Sequence, residues 1–222
     1  MFNIRYAIDG ATRRNGKPDC VAAGAVVCQV FNDAGTYYTS SFTVHELGST
    51  NQRGELLALL EAITHFCSSD FDECQIITDS EYLFNTIHHE WLSKWSRTWM
   101  TSKGEPVKNK DIWELVLQLL LKHPQKVINM YHVKGHMLPM GKATVVKLIT
   151  EDTSGAALYK ACVDKFNNYT ISADKLSNLQ EVSIKNNGFE LVGDVLETFV
   201  SLNTAADALA GYVVEKADAA CK

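Results

Sequence analysis

Val21-Ala22-Ala23-Gly24-Ala25-Val26-Val27-Cys28-Gln29-Val30, then Asn32-Asp33-Ala34-Gly35, then Thr36 to Val44: an apolar run, a turn and a second run decide how this chain is read. The Asn-Asp-Ala-Gly step has hairpin turn chemistry, so the two runs are expected to pair antiparallel. Phe2 to Ile8 reads as a strand before them, which makes a three-stranded meander. Downstream the rhythm changes. Leu56, Leu57, Leu59, Leu60, Ile63 and Phe66 recur at helical spacing, with Thr50 or Asn51 as candidate cap. Gln75 to Thr78 is a short buried strand, Ser80 to about His89 a helix, Ile112 to Leu121 a strongly apolar helix, Val127 to Val133 a fifth strand, and Thr204 to about Lys216 a closing helix. Antiparallel strands followed by alternation predict an α/β fold: a five-stranded mixed sheet, three antiparallel strands then two parallel, flanked by helices on both faces.

Four carboxylates punctuate this pattern. Asp9 and Asp79 end apolar, β-branched runs, while Glu55 and Asp207 open or interrupt apolar helical patterns. Buried acids need a counter-charge, and divalent cations could hold all four; a pair of cations about 4 Å apart hydrolyses phosphodiesters. Each acid also has a plainer reading. Asp79 could cap a helix, and Glu55 could be a surface residue favoured by the helix dipole. His136 could be a solvated loop histidine. Trp91, Trp95 and Trp99 could be core aromatics at i, i+4 spacing, and Trp113 is assigned to the core.

With 222 residues, 46% of them apolar, the chain can bury a core as one domain of ordinary size. A net charge of -5 argues against coating nucleic acid through bulk charge. Its distribution is uneven, because Trp91 to Lys110 carries Lys94, Arg97, Lys103, Lys108 and Lys110 against Glu105 alone. Six cysteines (Cys20, Cys28, Cys67, Cys74, Cys162, Cys221) form no C-x-x-C pair, so neither a zinc site nor a disulfide framework is expected. A cytoplasmic monomer is the expectation, in the host cytoplasm if the source is viral. The first strand starts near Met1 and no apolar run approaches eighteen residues, so neither export nor membrane insertion is expected.

Seven segments in order carry a resemblance: Ile8-Asp9-Gly10, Thr50-Asn51-Gln52-Arg53-x-Glu55, Thr78-Asp79-Ser80, Trp91-x-x-x-Trp95-x-x-x-Trp99, Pro106-Val107-Lys108-Asn109-Lys110-Asp111-x-Trp113, Val133-Lys134-Gly135-His136, and Asn203-x-x-x-Asp207-x-Leu209-Ala210. Over residues 2 to 136 and 203 to 218 the chain resembles type 1 ribonuclease H. The resemblance implies a ribonuclease H-like fold and a magnesium-dependent endonuclease that cuts the RNA strand of an RNA/DNA hybrid, leaving a 5′-phosphate and a 3′-hydroxyl. It implies two Mg2+ ions, replaceable by Mn2+. Asp9 would bridge both, Asp207 would join it on the ion that activates water, and Glu55 and Asp79 on the ion that stabilises the leaving 3′-oxygen. His136 would assist product departure or proton transfer from a mobile loop. Substrate contacts carried over in the same way are Gly10, Thr50, Asn51, Gln52, Trp91, Lys94, Trp95, Arg97, Ser102, Lys108 and Asn109. Among them, Asn51 and Gln52 would read 2′-hydroxyls and base edges in the minor groove, and Thr50 and Asn109 would hold a DNA phosphate. Trp91 and Trp95 would line the DNA-strand channel.

The chain departs from the family pattern in three places. Gly48 stands where eukaryotic members carry arginine, and Glu81 where Gln or Met is common. About sixty extra residues separate His136 from Asp207. Either this segment loops out and returns Asp207 to the site, or Asp207 is not the fourth acid; Asn203 and Leu209-Ala210 favour the first. The domain reading is therefore one ribonuclease H domain over 1–222 with a helical insertion over 140–201. That insertion is expected to form two helices, around Ala156 to Phe166 and from Phe189 onward, beside the site. Its net charge is -2, eight acids against six lysines, too acidic for a clamp by charge alone. Two other classes stay open: a binding module that keeps the fold without catalysis, and a nuclease of the same fold acting on other structured nucleic acid.

Overall fold

The structure, a computed structural model, describes residues 1–15, 17 and 19–220, so Cys221 lies outside the described residues. Its five strands are β1 (Asn3–Arg13), β2 (Val21–Asn32), β3 (Gly35–Leu47), β4 (Glu73–Thr78) and β5 (Val127–His132). They form one sheet in the order β3-β2-β1-β4-β5. β1 to β3 are antiparallel, and β4 and β5 run parallel to β1. The mixed sheet expected from the sequence is present.

Alternation along β1 directs the two faces. Ile4, Tyr6 and Ile8 join one apolar cluster, together with Leu56, Leu59, Ile63 and Phe66 of α1 (Asn51–Ser68) and Trp113. Ala7, Ala25 and Val27 join the other, with Leu202, Ala205, Ala206 and Leu209. The small residues matter on that second face: alanines on both sides let a long helix lie close over β1 and β2. On the first face Gly24 and Gly54 do the same for α1, since a Cβ on Gly24 would overlap the Gly54 carbonyl oxygen and lie 2.9 Å from the Ala58 nitrogen.

The remaining helices are α2 (Glu81–His88), α3 (Trp91–Trp95), α4 (Lys110–Lys122), α5 (Lys142–Glu151), α6 (Ala156–Asn168), α7 (Ala173–Asn187) and α8 (Gly193–Ala220). α5 and α7 were not expected, nor was the short α3. α7 is polar along most of its length and buries only Leu179 and Ser183, so it carries little apolar periodicity to read. The helix expected from Phe189 and the closing helix are one element, the 28-residue α8, which at 1.5 Å per residue spans about 42 Å. Val192, just before it, and Val195, in its first turn, are exposed. Its far end is pinned where buried Asp218 pairs with Arg13 and Arg14 at the end of β1. None of the described helices is long and apolar enough to cross a membrane.

One expectation about Asp9 is corrected. It does not end β1, which runs on to Arg13 because β2 accompanies it that far. Only the parallel partner stops early: pairing with β4 ends at Ala7. Asp9 therefore sits where β1 outruns β4, at the carboxyl edge of the parallel strands, which is where α/β sheets build sites.

Candidate active site

Asp9 shares the parity of Ala7, so its side chain faces α8, and Asp207 lies in the middle of that helix. Asp79 immediately follows β4, and Glu55 is the fifth residue of α1, on the opposite face. Gly10 lets the start of α1 come in, because a Cβ there would lie 2.5 Å from the Glu55 nitrogen and 2.7 Å from its Cγ. Carboxylates from both faces thus meet past the end of β4. Thr50, not Asn51, caps α1, accepting from the Arg53 N–H at 3.4 Å. Ser80, not Asp79, caps α2, which leaves the Asp79 carboxylate free of that duty.

The acids act on one another. Burial, then the charges of Asp79 and Asp207, push the Asp9 carboxyl well above the usual range, against the Gly10 N–H that donates to it at 2.6 Å. Burial and Asp207 raise Asp79, offset by His136 and by a hydrogen bond from Asn203. Burial pushes Glu55 up to about 7, although Ser80 Oγ donates to it at 2.5 Å and Asn51 Nδ2 at 2.8 Å. Asp207 is a third exposed and lies 3.2 Å from His136 Nδ1. Hence the chain returns Asp207 to the other three acids after the excursion that starts beyond His136. Gly135 backs directly onto Asp79, and a Cβ there would overlap Asp79 Oδ2 and lie 2.9 Å from its Cγ.

Among the described residues no three or more His, Cys, Asp and Glu side chains form a ready-made metal cage. The donor set nevertheless fits magnesium, a hard cation that takes one or two carboxylates plus waters and substrate phosphate oxygens instead of an all-protein cage. Mutually raised carboxyl groups are the electrostatic complement of such a cation.

The sign of the pH effect follows. Glu55 has a folded pKa near 7 against about 4.3 unfolded, and Asp9 and Asp79 are raised in the same sense. These groups contribute stability that is complete below the unfolded pKa values and is lost as pH rises through the folded ones. A cation that binds the ionised folded form reverses the loss. Adding Mg2+ to chelator-treated protein is therefore expected to raise Tm more at pH 8 than at pH 5, by about 2–4 °C for each kcal/mol of repulsion relieved. Thermal melts at both pH values check this, and equal shifts would contradict it.

Substrate-contact candidates fall in two groups. Trp91, Lys94, Trp95 and Ser102 line one groove of about 640 Å3, with Met100 and Lys103 on its wall. Two of its lining rings, Trp91 and Trp95, have centroids 5.9 Å apart, and Trp95 in turn meets buried Trp113, which does not line the groove, edge-on at 6.3 Å. Arg97 and Lys108 are exposed nearby but do not line the groove. The second group stands at the α1 and α4 N-termini. Arg53 holds these ends together, with a two-pronged pair to Asp111 (2.9 and 2.7 Å) and a 2.5 Å contact to Glu46. Thr50 and Asn109, the caps of the two helices, are thereby brought to one surface, and Gln52 is exposed beside them.

Comparison with known proteins agrees with this architecture. A family model described as RNase H matches residues 3–150. The chain belongs to the ribonuclease H family. The ribonuclease H of Clostridium botulinum is 34% identical over 140 residues, 61% of this chain and 85% of that protein. That of Nitratidesulfovibrio vulgaris strain DP4 is 40% identical over 91 residues, 40% of this chain and 54% of that protein. Among solved structures, the PFV RNase H domain superposes with TM-score 0.52 at 20% identity, covering 72% of this chain and 96% of that one. LC9-RNase H1 gives 0.50 at 21%, covering 60% and 63%. This ribonuclease H is thus a nuclease by family, and its match to the family model stops short of Asp207. The helix of Asp207 joins the site through tertiary structure.

Sequence reasoning gave no role to Ser80, Gly135 or Asn203. All three hold or border a carboxylate, and only Asn203 carried a signal, its spacing four residues ahead of Asp207.

Proposed function

We propose that this chain hydrolyses the RNA strand of RNA/DNA hybrids, leaving 5′-phosphate and 3′-hydroxyl ends, as a single domain over 1–222 with a helical insertion over 140–201. The observation that carries the reading is the meeting of Asp9, Glu55, Asp79 and Asp207 at the edge past β4, each raising or raised by another. Asp9 with Asp207 would hold one Mg2+ and Asp9 with Glu55 and Asp79 the other, with Mn2+ able to substitute. When bound, such a pair activates water and stabilises the leaving oxygen. The chain's own residues do the rest. Ser80 and Asn51 fix the Glu55 carboxylate, Asn203 fixes that of Asp79, and exposed His136, with Nδ1 turned to the Asp207 carboxylate, accepts or returns a proton at Nε2. The tryptophan groove receives the DNA strand, since aromatic faces pack on bases and sugars without reading sequence. Gln52 and Asn51, at the mouth of α1, read the 2′-hydroxyls that mark RNA.

Labelled RNA presented with Mg2+ as hybrid, RNA duplex or single strand tests this. Cleavage of hybrid RNA alone is expected, and cleavage of RNA duplex at a similar rate would overturn the specificity.

Replacing Lys94, Arg97 and Lys108 together with Ala is expected to raise KM and flatten its salt dependence, with a smaller effect on kcat. Each lost phosphate contact removes about one unit of log-log slope. A slope equal to that of the parent would show that the hybrid lies elsewhere.

A further inference from the structure

His132, the last residue of β5, is buried although it is polar and belongs to an edge strand. The outward backbone groups of an edge strand need cover. Here a side chain supplies it. Asn187 Oδ1 accepts from the His132 N–H at 2.8 Å, and Asn187 Nδ2 donates to the His132 carbonyl at 2.8 Å, so one carboxamide pairs with the strand end as a neighbouring strand would. The imidazole is held at both nitrogens. Nε2 lies 3.0 Å from the carbonyl oxygen of Asp79, and Nδ1 lies 3.0 Å from Asn186 Nδ2.

Donor and acceptor chemistry leaves one consistent assignment. A carbonyl oxygen only accepts, so Nε2 must carry the proton; Nδ1 then must accept, which is what the Asn186 amide nitrogen offers. The Asp79 carbonyl accepts from the Nε2–H and the Asn186 amide N–H keeps Nδ1 an acceptor, so together they hold the neutral Nε2–H tautomer that anchors the Asp79 carbonyl. Fixing this carbonyl fixes the peptide plane between Asp79 and Ser80, and with it the directions of the Asp79 carboxylate and of the Ser80 hydroxyl that binds Glu55.

We propose that Asn186 and Asn187, at the C-terminal end of α7, are positioning residues that set Asp79 and Ser80 through His132. The insertion thus completes the acidic site instead of decorating the surface. This rests on the reading that Asp79 belongs to the acids that hold the cations.

The test compares Asn186→Ala, the double variant Asn186→Ala/Asn187→Ala, and Asp79→Asn in three measurements: hybrid cleavage, calorimetric Mn2+ binding without substrate, and 15N NMR of the His132 ring. Groups that orient a ligand from behind typically change metal affinity or activity 10–100-fold. The double variant is expected to lose about tenfold or more in kcat and to bind Mn2+ more weakly, with KM within about twofold of the parent. The parent is expected to show the Nε2–H tautomer and Asn186→Ala a mixture. Parent-like kcat and Mn2+ affinity with only a lower Tm would overturn the proposal, as would an Nδ1–H tautomer in the parent. If the double variant fails to fold, Asn186→Ala, which keeps the Asn187 backbone pairing, decides alone. Asp79→Asn separates the two readings. Near-parent turnover in it would sink the acidic site itself, whereas its inactivity beside fully active Asn186→Ala and Asn186→Ala/Asn187→Ala variants would sink only the positioning role.

Discussion

Asp9→Asn is expected to lower hybrid cleavage by on the order of 10³-fold, because charge stabilisation by metal ions supplies several kcal/mol to such reactions and each 1.36 kcal/mol is a factor of ten in rate. Asp9 feels the charges of Asp79, Asp207 and Glu55 at once, on top of its own burial. The amide keeps the volume of the carboxylate, and the hybrid groove is lined by other residues. Hybrid affinity should therefore stay within a few-fold of the parent in a binding assay with the same substrate. The same substitution removes a buried charge whose neighbours repel it. In chelator at pH 8 the variant should melt above the parent, and near pH 4, where the parent carboxyl is protonated, the gap should close. Turnover near the parent's would refute the assignment. A variant that melts below the parent at both pH values would make Asp9 a structural acid.

Gly135→Ala is the second large effect. Gly135 has an ordinary backbone conformation, so alanine can adopt it without backbone strain, but its methyl would occupy the space of Asp79 Oδ2. The carboxylate is the movable partner and must rotate away from its bond with Asn203. Misplacing a reacting group by about 1 Å can cost 10²-fold, which is the loss expected in kcat. The global cost should be small, because the collision is with the free end of one side chain, and Tm should fall by no more than a few degrees. Retained activity would mean that Asp79 tolerates displacement and does not have to be held where it is. Because the Gly135 loop also carries His136, the variant should be paired with His136→Ala; a Gly135→Ala defect far larger than that of His136→Ala assigns the loss to Asp79.

Much of this was legible along the chain. The meander, α1, α4 and β5 show their own periodicities of 2.0 and 3.6 residues, and Asp9, Glu55 and Asp79 sit in local patterns close enough in sequence to be matched as a set. Asp207 was legible only as a motif, since nothing local says whether residues 140–201 bring it back. Asp9 looked like a strand end because the apolar run stops there, whereas the strand is prolonged by β2, a partner that the run itself cannot reveal.

The sequence by itself determined the five strands, the mixed sheet and the helices α1, α2 and α4, because hydrophobic alternation and turn chemistry act over a few residues and are written where they act, and it offered the four acids as candidates through the resemblance. Only the tertiary structure decided that His136 meets Asp207 across 71 positions, that Gly10 and Gly135 are small because Glu55 and Asp79 press against them, and that Asn186 and Asn187 reach back 54 and 55 positions to His132. Those contacts join polar or small residues that leave no periodic trace, and their partners are chosen by how helices pack on a sheet, which no stretch of the chain can specify alone.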